Sequence, residues 1–257
     1  MKLTQRNYFS KKASMEYMSV SQFKAFERCP ASALAEIKGK YKREETTALL
    51  VGSYVDAYFE GTLENFKKKH PEIFKKNGEL KAEYVQADAI IQRISKDKLF
   101  KKHLSGEKQV IMTGEINGVA VKIKIDSFHP GKQIDDLKIV KDFEPIYHPE
   151  KGLIPWFEYW EYDLQGAIYQ EIVRQNTGDR LPFYLDAGTK EKTTDLDIVH
   201  LSQDMLDFAL DRFKQDVEMY DAMKHGIIEP DRCEKCEYCK ISKKLKAPTE
   251  SDEFYLI

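Results

Sequence analysis

The 257-residue chain contains no apolar run approaching the roughly eighteen residues that a membrane-spanning helix requires, which excludes a helical membrane protein. Cysteine is scarce, with only Cys29, Cys233, Cys236 and Cys239. Residues 1–6 lack the apolar core of a secretory leader, so the expected location is a reducing cytoplasm, where disulfides do not persist. Net charge is also nearly absent, because 41 Lys and Arg stand against 43 Asp and Glu for a formal charge of −2. A protein that holds nucleic acid regardless of its base sequence is usually basic or strongly patterned. Attraction to a polyanion must therefore come from local clusters, and lysines do cluster at residues 67–69, 75–76, 101–102 and 240–246, apart from an acidic stretch at 249–253. Internal repeats and low-complexity tracts are lacking too, which excludes solenoids and repeat arrays.

What is present suits a globular enzyme. The hydrophobic fraction is 42%, and the length is that of one large domain, so residues 1–257 are expected to fold as a single unit. Residues 119–126 alternate strictly, with Val119, Val121, Ile123 and Ile125 on one face and Lys122, Lys124 and Asp126 on the other, which predicts a half-buried strand ending in a carboxylate. A Pro130-Gly131 turn follows, and residues 134–140 return as the next strand of a hairpin. Asp136 and Lys138, two apart, then share a face, and one metal ion can be held by Asp126, Asp136 and the carbonyl of Leu137, with Lys138 beside a coordinated water. The hairpin is expected to leave both groups at an exposed edge of the sheet. Residues 48–60, 81–96, 156–177 and 205–224 read as helices, the third carrying Gln165 and Tyr169 four apart on one face. Residues 109–112, 182–187 and 195–201 read as further strands. Lys190, between the last two, is a candidate phosphate contact.

In this order, Asp126, then Asp136-Leu137-Lys138, then Gln165-Gly166-Ala167-Ile168-Tyr169 resemble the motifs of PD-(D/E)XK nucleases of the RecB-like branch. Upstream, Ser19 to Phe23 followed by Cys29-Pro30 resembles the opening helix of that branch, and Gly52-Ser53-Tyr54-Val55-Asp56 stands where it carries Gly-x-x-x-His. The chain departs from the pattern there, because Asp56 replaces a metal-ligating histidine; Glu60 follows one turn later. The resemblance covers residues 19–239. It implies an α/β fold with a restriction-endonuclease-like core, a central mixed sheet flanked by helices. It further implies Mg2+ or Mn2+ held by Asp56, Asp126, Asp136 and Leu137, with Lys138 acting on the water or the scissile phosphate. Gln165 and Tyr169 would position Lys138 or the DNA backbone.

Three thiols in Cys233-x-x-Cys236-x-x-Cys239 are more than packing needs, and metal ligation is the better reading. Relatives in the branch hold a [4Fe-4S] cluster with one cysteine from the opening helix and three near the C-terminus, which is the distribution of Cys29, Cys233, Cys236 and Cys239. Tetrahedral Zn2+ is the alternative. Either metal makes residues 229–246 a loop that closes onto the N-terminal helix. Within the branch the chain looks most like phage and prophage exodeoxyribonuclease VIII-like proteins. That resemblance implies degradation of duplex DNA ends, a single strand left for an annealing recombinase, and a ring-like homo-oligomer. Two rival readings stay open: a cluster-bearing DNA-binding protein whose nuclease core is inactive, which the loss of histidine at Asp56 keeps alive, and an endonuclease of the same superfamily.

Overall fold

The alternating segment becomes the second strand of a five-stranded mixed sheet in a computed structural model that describes residues 1–245, 247, 248 and 251. Lys246 of the C-terminal lysine cluster and the acidic stretch 249–253, Ser251 apart, lie outside the described residues. The strands are β1 (Glu107–Ile116), β2 (Val119–His129), β3 (Gln133–Val140), β4 (Ile146–His148), β5 (Gly152–Ile154), β6 (Phe183–Thr189) and β7 (Leu196–His200). The helices are α1 (Lys11–Glu16), α2 (Val20–Arg28), α3 (Pro30–Ile37), α4 (Thr47–Phe59), α5 (Leu63–Lys69), α6 (Ala82–Lys96), α7 (Lys98–His103), α8 (Trp156–Tyr159), α9 (Tyr162–Thr177), α10 (Gln203–His225) and α11 (Glu237–Ile241). Sheet order is β1-β2-β3-β6-β7, with β3 and β6 parallel and the other pairs antiparallel, and β4-β5 forms a separate hairpin. This is the expected α/β architecture of a mixed sheet between helical layers.

Two apolar clusters cover the sheet. Val121, Ile123 and Ile125 of β2 and Phe183 and Leu185 of β6 are fully buried against α2, α9 and α10. On the other face Leu137 and Ile139 of β3 pack with Tyr54, Val55, Ile90 and Ile94 of α4 and α6. Gly166 sets the approach of α9, since a Cβ there would stand 2.8 Å from Phe183 and 2.9 Å from Leu206. Any side chain at this position pushes α9, and with it the neighbouring Gln165, away from β3 and β6.

Three expectations are corrected. β3 is the middle strand of five, so Asp136 is not at an exposed edge; it is only 1% exposed. Residues 156–177 do not form one helix, because Glu161 adopts the left-handed region at φ 54° and divides α8 from α9. Its carboxylate accepts a 2.8 Å hydrogen bond from Arg212 of α10, which holds the break in place. β1 runs for ten residues rather than four, and its half-buried, weakly alternating composition hid most of it.

Candidate active site

The sheet and helices leave a cleft of about 1040 Å³ whose wall includes Asp56, Asp126, Asp136, Lys138, Gln165 and Tyr169. Backbone pairing between β2 and β3 ends at Ser127 with Asp135. Beyond it the strands part, and the amide of Leu137 donates to Oδ2 of Asp126 at 3.3 Å in place of a ladder bond. Gln109, at the left-handed φ of 55° in β1, donates through Nε2 to the other oxygen of Asp126 at 3.1 Å. Each oxygen of Asp126 is thus held by one neutral donor and keeps a free lone pair.

Asp136 is held differently. Gln165 donates to its Oδ1 at 2.6 Å, while Oδ2 meets the ammonium of Lys138 in a buried ion pair and has no hydrogen-bond partner besides that contact. Burial pushes the Asp136 carboxyl up to about 7 against the pull of Lys138, with Asp126 adding repulsion. Burial also lifts Asp56, half-buried on α4, well above the usual carboxylate range, and Asp126 lifts it further. Burial alone would lower the Lys138 ammonium, yet Asp136 and the other anionic neighbours hold it above its ordinary range. Tyr162, the first residue of α9, lies with its ring 5.0 Å from Lys138 Nζ.

The placement refines the expected roles. Gln165 grips Asp136 rather than Lys138, and Tyr169, 9% exposed, donates through its hydroxyl to the carbonyl of Lys124 at 3.0 Å. Both therefore position the strands that carry the carboxylates. Leu137 lines the cleft while its side chain packs in the second apolar cluster. Glu60 also lines it, with a carboxyl raised by burial. Lys190 stands apart from the lining residues and donates to the carbonyl of Ala48 at 3.1 Å.

The donor set fits a hard divalent cation, since crowded, desolvated carboxylates balanced by one ammonium gain from a further positive charge. The cleft is also bordered by Lys24, Lys69, His70, Lys122 and Lys124, the charge patterning that near-neutral composition demanded. Of the lysine clusters named from sequence, residues 67–69 contribute through Lys69, whereas 75–76 and 101–102 are not among the lining residues. Lys24 and Lys122 were not singled out as binding candidates. Tertiary placement selects them, through Met18, whose amide and carbonyl bond to Ala120 and Lys122 and dock the N-terminal segment on β2.

A second centre joins the two ends of the chain. Sγ of Cys29 stands 3.6 Å from that of Cys239 and 3.7 Å from that of Cys236, and Cys233 lies 4.0 Å from Cys239. All four are free thiols, and all four sulfurs fall within 4.8 Å of one another. Amides of Cys236 and Cys239 donate to the sulfurs of Cys233 and Cys236 at 3.3 and 3.4 Å. Backbone amides, Lys235 first, bring the Cys233 thiol down to about 6, poised for the thiolate form that binds metal. The amide of Ala31 donates to Asp231 at 3.0 Å and seats the loop on α3.

A family model described as a PDDEXK-like domain of unknown function (DUF3799) matches residues 19–242. A crystal structure from Eubacterium rectale, named "Putative exonuclease", superposes with a TM-score of 0.96 at 45% identity over 99% of this chain and 98% of that one. A structure of SSO0001 aligns at 12% identity with a TM-score of 0.33, over 89% of this chain and 98% of that one. No curated protein matches. No described helix is long and apolar enough to cross a membrane.

Proposed function

The chain belongs to the PDDEXK-like family, and from that premise we propose that it is a Mg2+- or Mn2+-dependent deoxyribonuclease that degrades duplex DNA from its ends. The observation that carries the reading is the juxtaposition of Asp126, Asp136 and Lys138 where β2 and β3 part, inside a cleft edged with lysine. Asp56, Asp126, Asp136 and the carbonyl of Leu137 would hold the cation, which when bound supplies an acidified water and neutralises charge on the phosphate. Gln109 and the Leu137 amide fix the orientation of Asp126, and Gln165 that of Asp136. Lys138, positively charged beside Asp136, is placed to orient the attacking water and to donate to the developing phosphorane oxygens. Lys24, Lys69 and Lys124 would guide the phosphate backbone.

End-labelled linear duplex and closed circular duplex, incubated with the purified protein and Mg2+ or Mn2+, test this. Loss of label from the linear DNA with an intact circle is the expected result. Nicking of the circle would make the protein an endonuclease, and binding without cleavage would support the inactive-core reading. A single strand left for an annealing recombinase, and a ring-like oligomer that retains the duplex, are proposals resting on the exodeoxyribonuclease VIII-like resemblance.

We infer that the four cysteines hold one Zn2+ in preference to a [4Fe-4S] cluster. A tetrahedral ion with Zn–S bonds of about 2.3 Å sets its sulfurs roughly 3.8 Å apart; three of the six separations here are 3.6, 3.7 and 4.0 Å, and all lie within 4.8 Å. A cubane binds each cysteine to a different iron and spreads the sulfurs to about 6 Å. Colourless protein with one zinc per chain is expected; brown protein with iron and acid-labile sulfide would overturn the assignment. The C-terminal loop then belongs to the same single domain as the cleft.

A further inference from the structure

Beneath β3, on the side of Leu137 rather than of the candidate active site, two buried carboxylates converge on an imidazole. His103, the last residue of α7, has Nδ1 2.6 Å from Asp135 Oδ1 and 3.3 Å from Asp186 Oδ1. The three donor atoms lie within 4.8 Å of one another. Asp135 and Asp186, from the adjacent parallel strands β3 and β6, are both fully buried. Asp135 is well served, because Gln133 donates to both of its oxygens, at 2.8 and 3.0 Å. Asp186 is not: neither oxygen has a hydrogen-bond partner, and the His103 ring is its nearest cation. A buried carboxylate without donors is costly, and while Asp135 also has His129 Nε2 at 3.5 Å from its Oδ2, Asp186 has His103 alone.

We propose that His103, Asp135 and Asp186 form a second divalent-metal site, separate from both the cleft and the cysteines, that takes an ion of the zinc or manganese class. The imidazole is a borderline ligand, and set beside two hard carboxylates it favours those ions over magnesium. The charges balance, since two carboxylates and a neutral His103 cancel a 2+ ion. The surroundings are those of a supported site. Gln133 orients Asp135, and His129 Nε2 donates to the His103 carbonyl at 2.8 Å. Side chains of His103 and His129 are 12% and 19% exposed, leaving a path for entry. The ion would tie α7 to β3 and β6 directly behind Asp136. This inference does not depend on the nuclease reading.

Crystals of the full chain and of Asp186→Asn, equilibrated with Zn2+ or with Mn2+, are compared by anomalous diffraction, and metal per chain is measured after dialysis against micromolar Zn2+. An anomalous peak between His103 Nδ1 and the two carboxylates, absent in Asp186→Asn together with one zinc equivalent, is the expected result. His103→Gln serves if Asp186→Asn does not fold. Anomalous density confined to the cysteines and the cleft, or the same zinc content in wild type and variant, would overturn the proposal and leave an imidazole–carboxylate cluster that shares protons.

Discussion

The amide of Leu137 donates to Oδ2 of Asp126 at 3.3 Å, just past the last β2–β3 backbone pair, Ser127 with Asp135. One hydrogen bond thus both ends the ladder and aims a carboxylate. The strands that pair at the turn end part at the cleft, where Asp126 and Asp136 both line the wall. A site of this kind depends on a central strand, because β3 must be buttressed by β6 on its far side to stay in place without its partner.

Asp136→Asn and Lys138→Ala are each expected to lower cleavage by about a hundredfold or more. Burial makes the two differ in stability. Asp136→Asn leaves Lys138 near Asp126, whereas Lys138→Ala removes the ammonium paired with buried Asp136, so the second variant should melt at the lower temperature. Rates on linear duplex and thermal midpoints check this. Wild-type cleavage by either variant would remove that residue from the mechanism.

Gln165→Leu keeps the shape of the side chain but deletes the 2.6 Å bond to Asp136. Since Gln165 holds the carboxylate proposed to bind the cation and lies on a well-packed helix, the variant should lose about tenfold or more in kcat, with KM for DNA little changed. A matching rise in KM with kcat preserved would instead place Gln165 in DNA binding.

Much of this site was legible because its residues are close in sequence or set by simple periods. Alternation from Val119 to Asp126, the turn at Pro130-Gly131 and the four-residue spacing of Gln165 and Tyr169 all survive in the structure. The burial of Asp136 was not legible, because strand order depends on β6 pairing in parallel with β3 some fifty residues later. Gln109 escaped notice for a similar reason, since its role comes from a left-handed backbone position within β1. The four cysteines, expected from sequence to share one centre, do converge, with their sulfurs within 4.8 Å of one another, although about two hundred residues separate Cys29 from the other three.

Lys122 provides a pH signature away from the carboxylates. It is 3% exposed, donates to the carbonyl of Tyr8 at 2.6 Å, and is brought down to about 8 by burial, with Lys224 adding repulsion. An unfolded lysine titrates near 10.4, so between about 8 and 10.4 the unfolded chain binds more protons and stability rises with pH. The gain is at most about 3 kcal/mol. Urea unfolding of wild type and Lys122→Met at pH 7 and pH 9.5 should show the wild type gaining on the variant at the higher pH. Parallel changes in the two would show that Lys122 titrates normally.

Cys239→Ser should release the metal and lower the thermal midpoint by about 10 °C or more, because the ligands close a loop spanning most of the chain. Specific activity per folded molecule should hold. Zinc content, measured with the melting curve, tests the link; a variant that keeps its metal and its midpoint would show that Cys239 is not a ligand.

Asp56 is where the chain leaves the histidine of the RecB-like pattern, and its position in the cleft with Asp126 and Asp136 gives the substitution a chemical consequence. With Asp56 as a ligand, three carboxylates would form an all-oxygen shell that favours hard cations, so Mg2+ should serve the wild type well. Asp56→Asn removes one charge at constant shape and should raise the Mg2+ concentration needed for half-maximal cleavage by about tenfold. Asp56→His restores an imidazole, a softer ligand, and should retain activity while shifting preference toward Mn2+. Metal titrations of all three proteins on linear duplex decide the matter. An unchanged Mg2+ requirement in Asp56→Asn would mean that Asp126 and Asp136 hold the cation without help from α4, and that the missing histidine has no replacement.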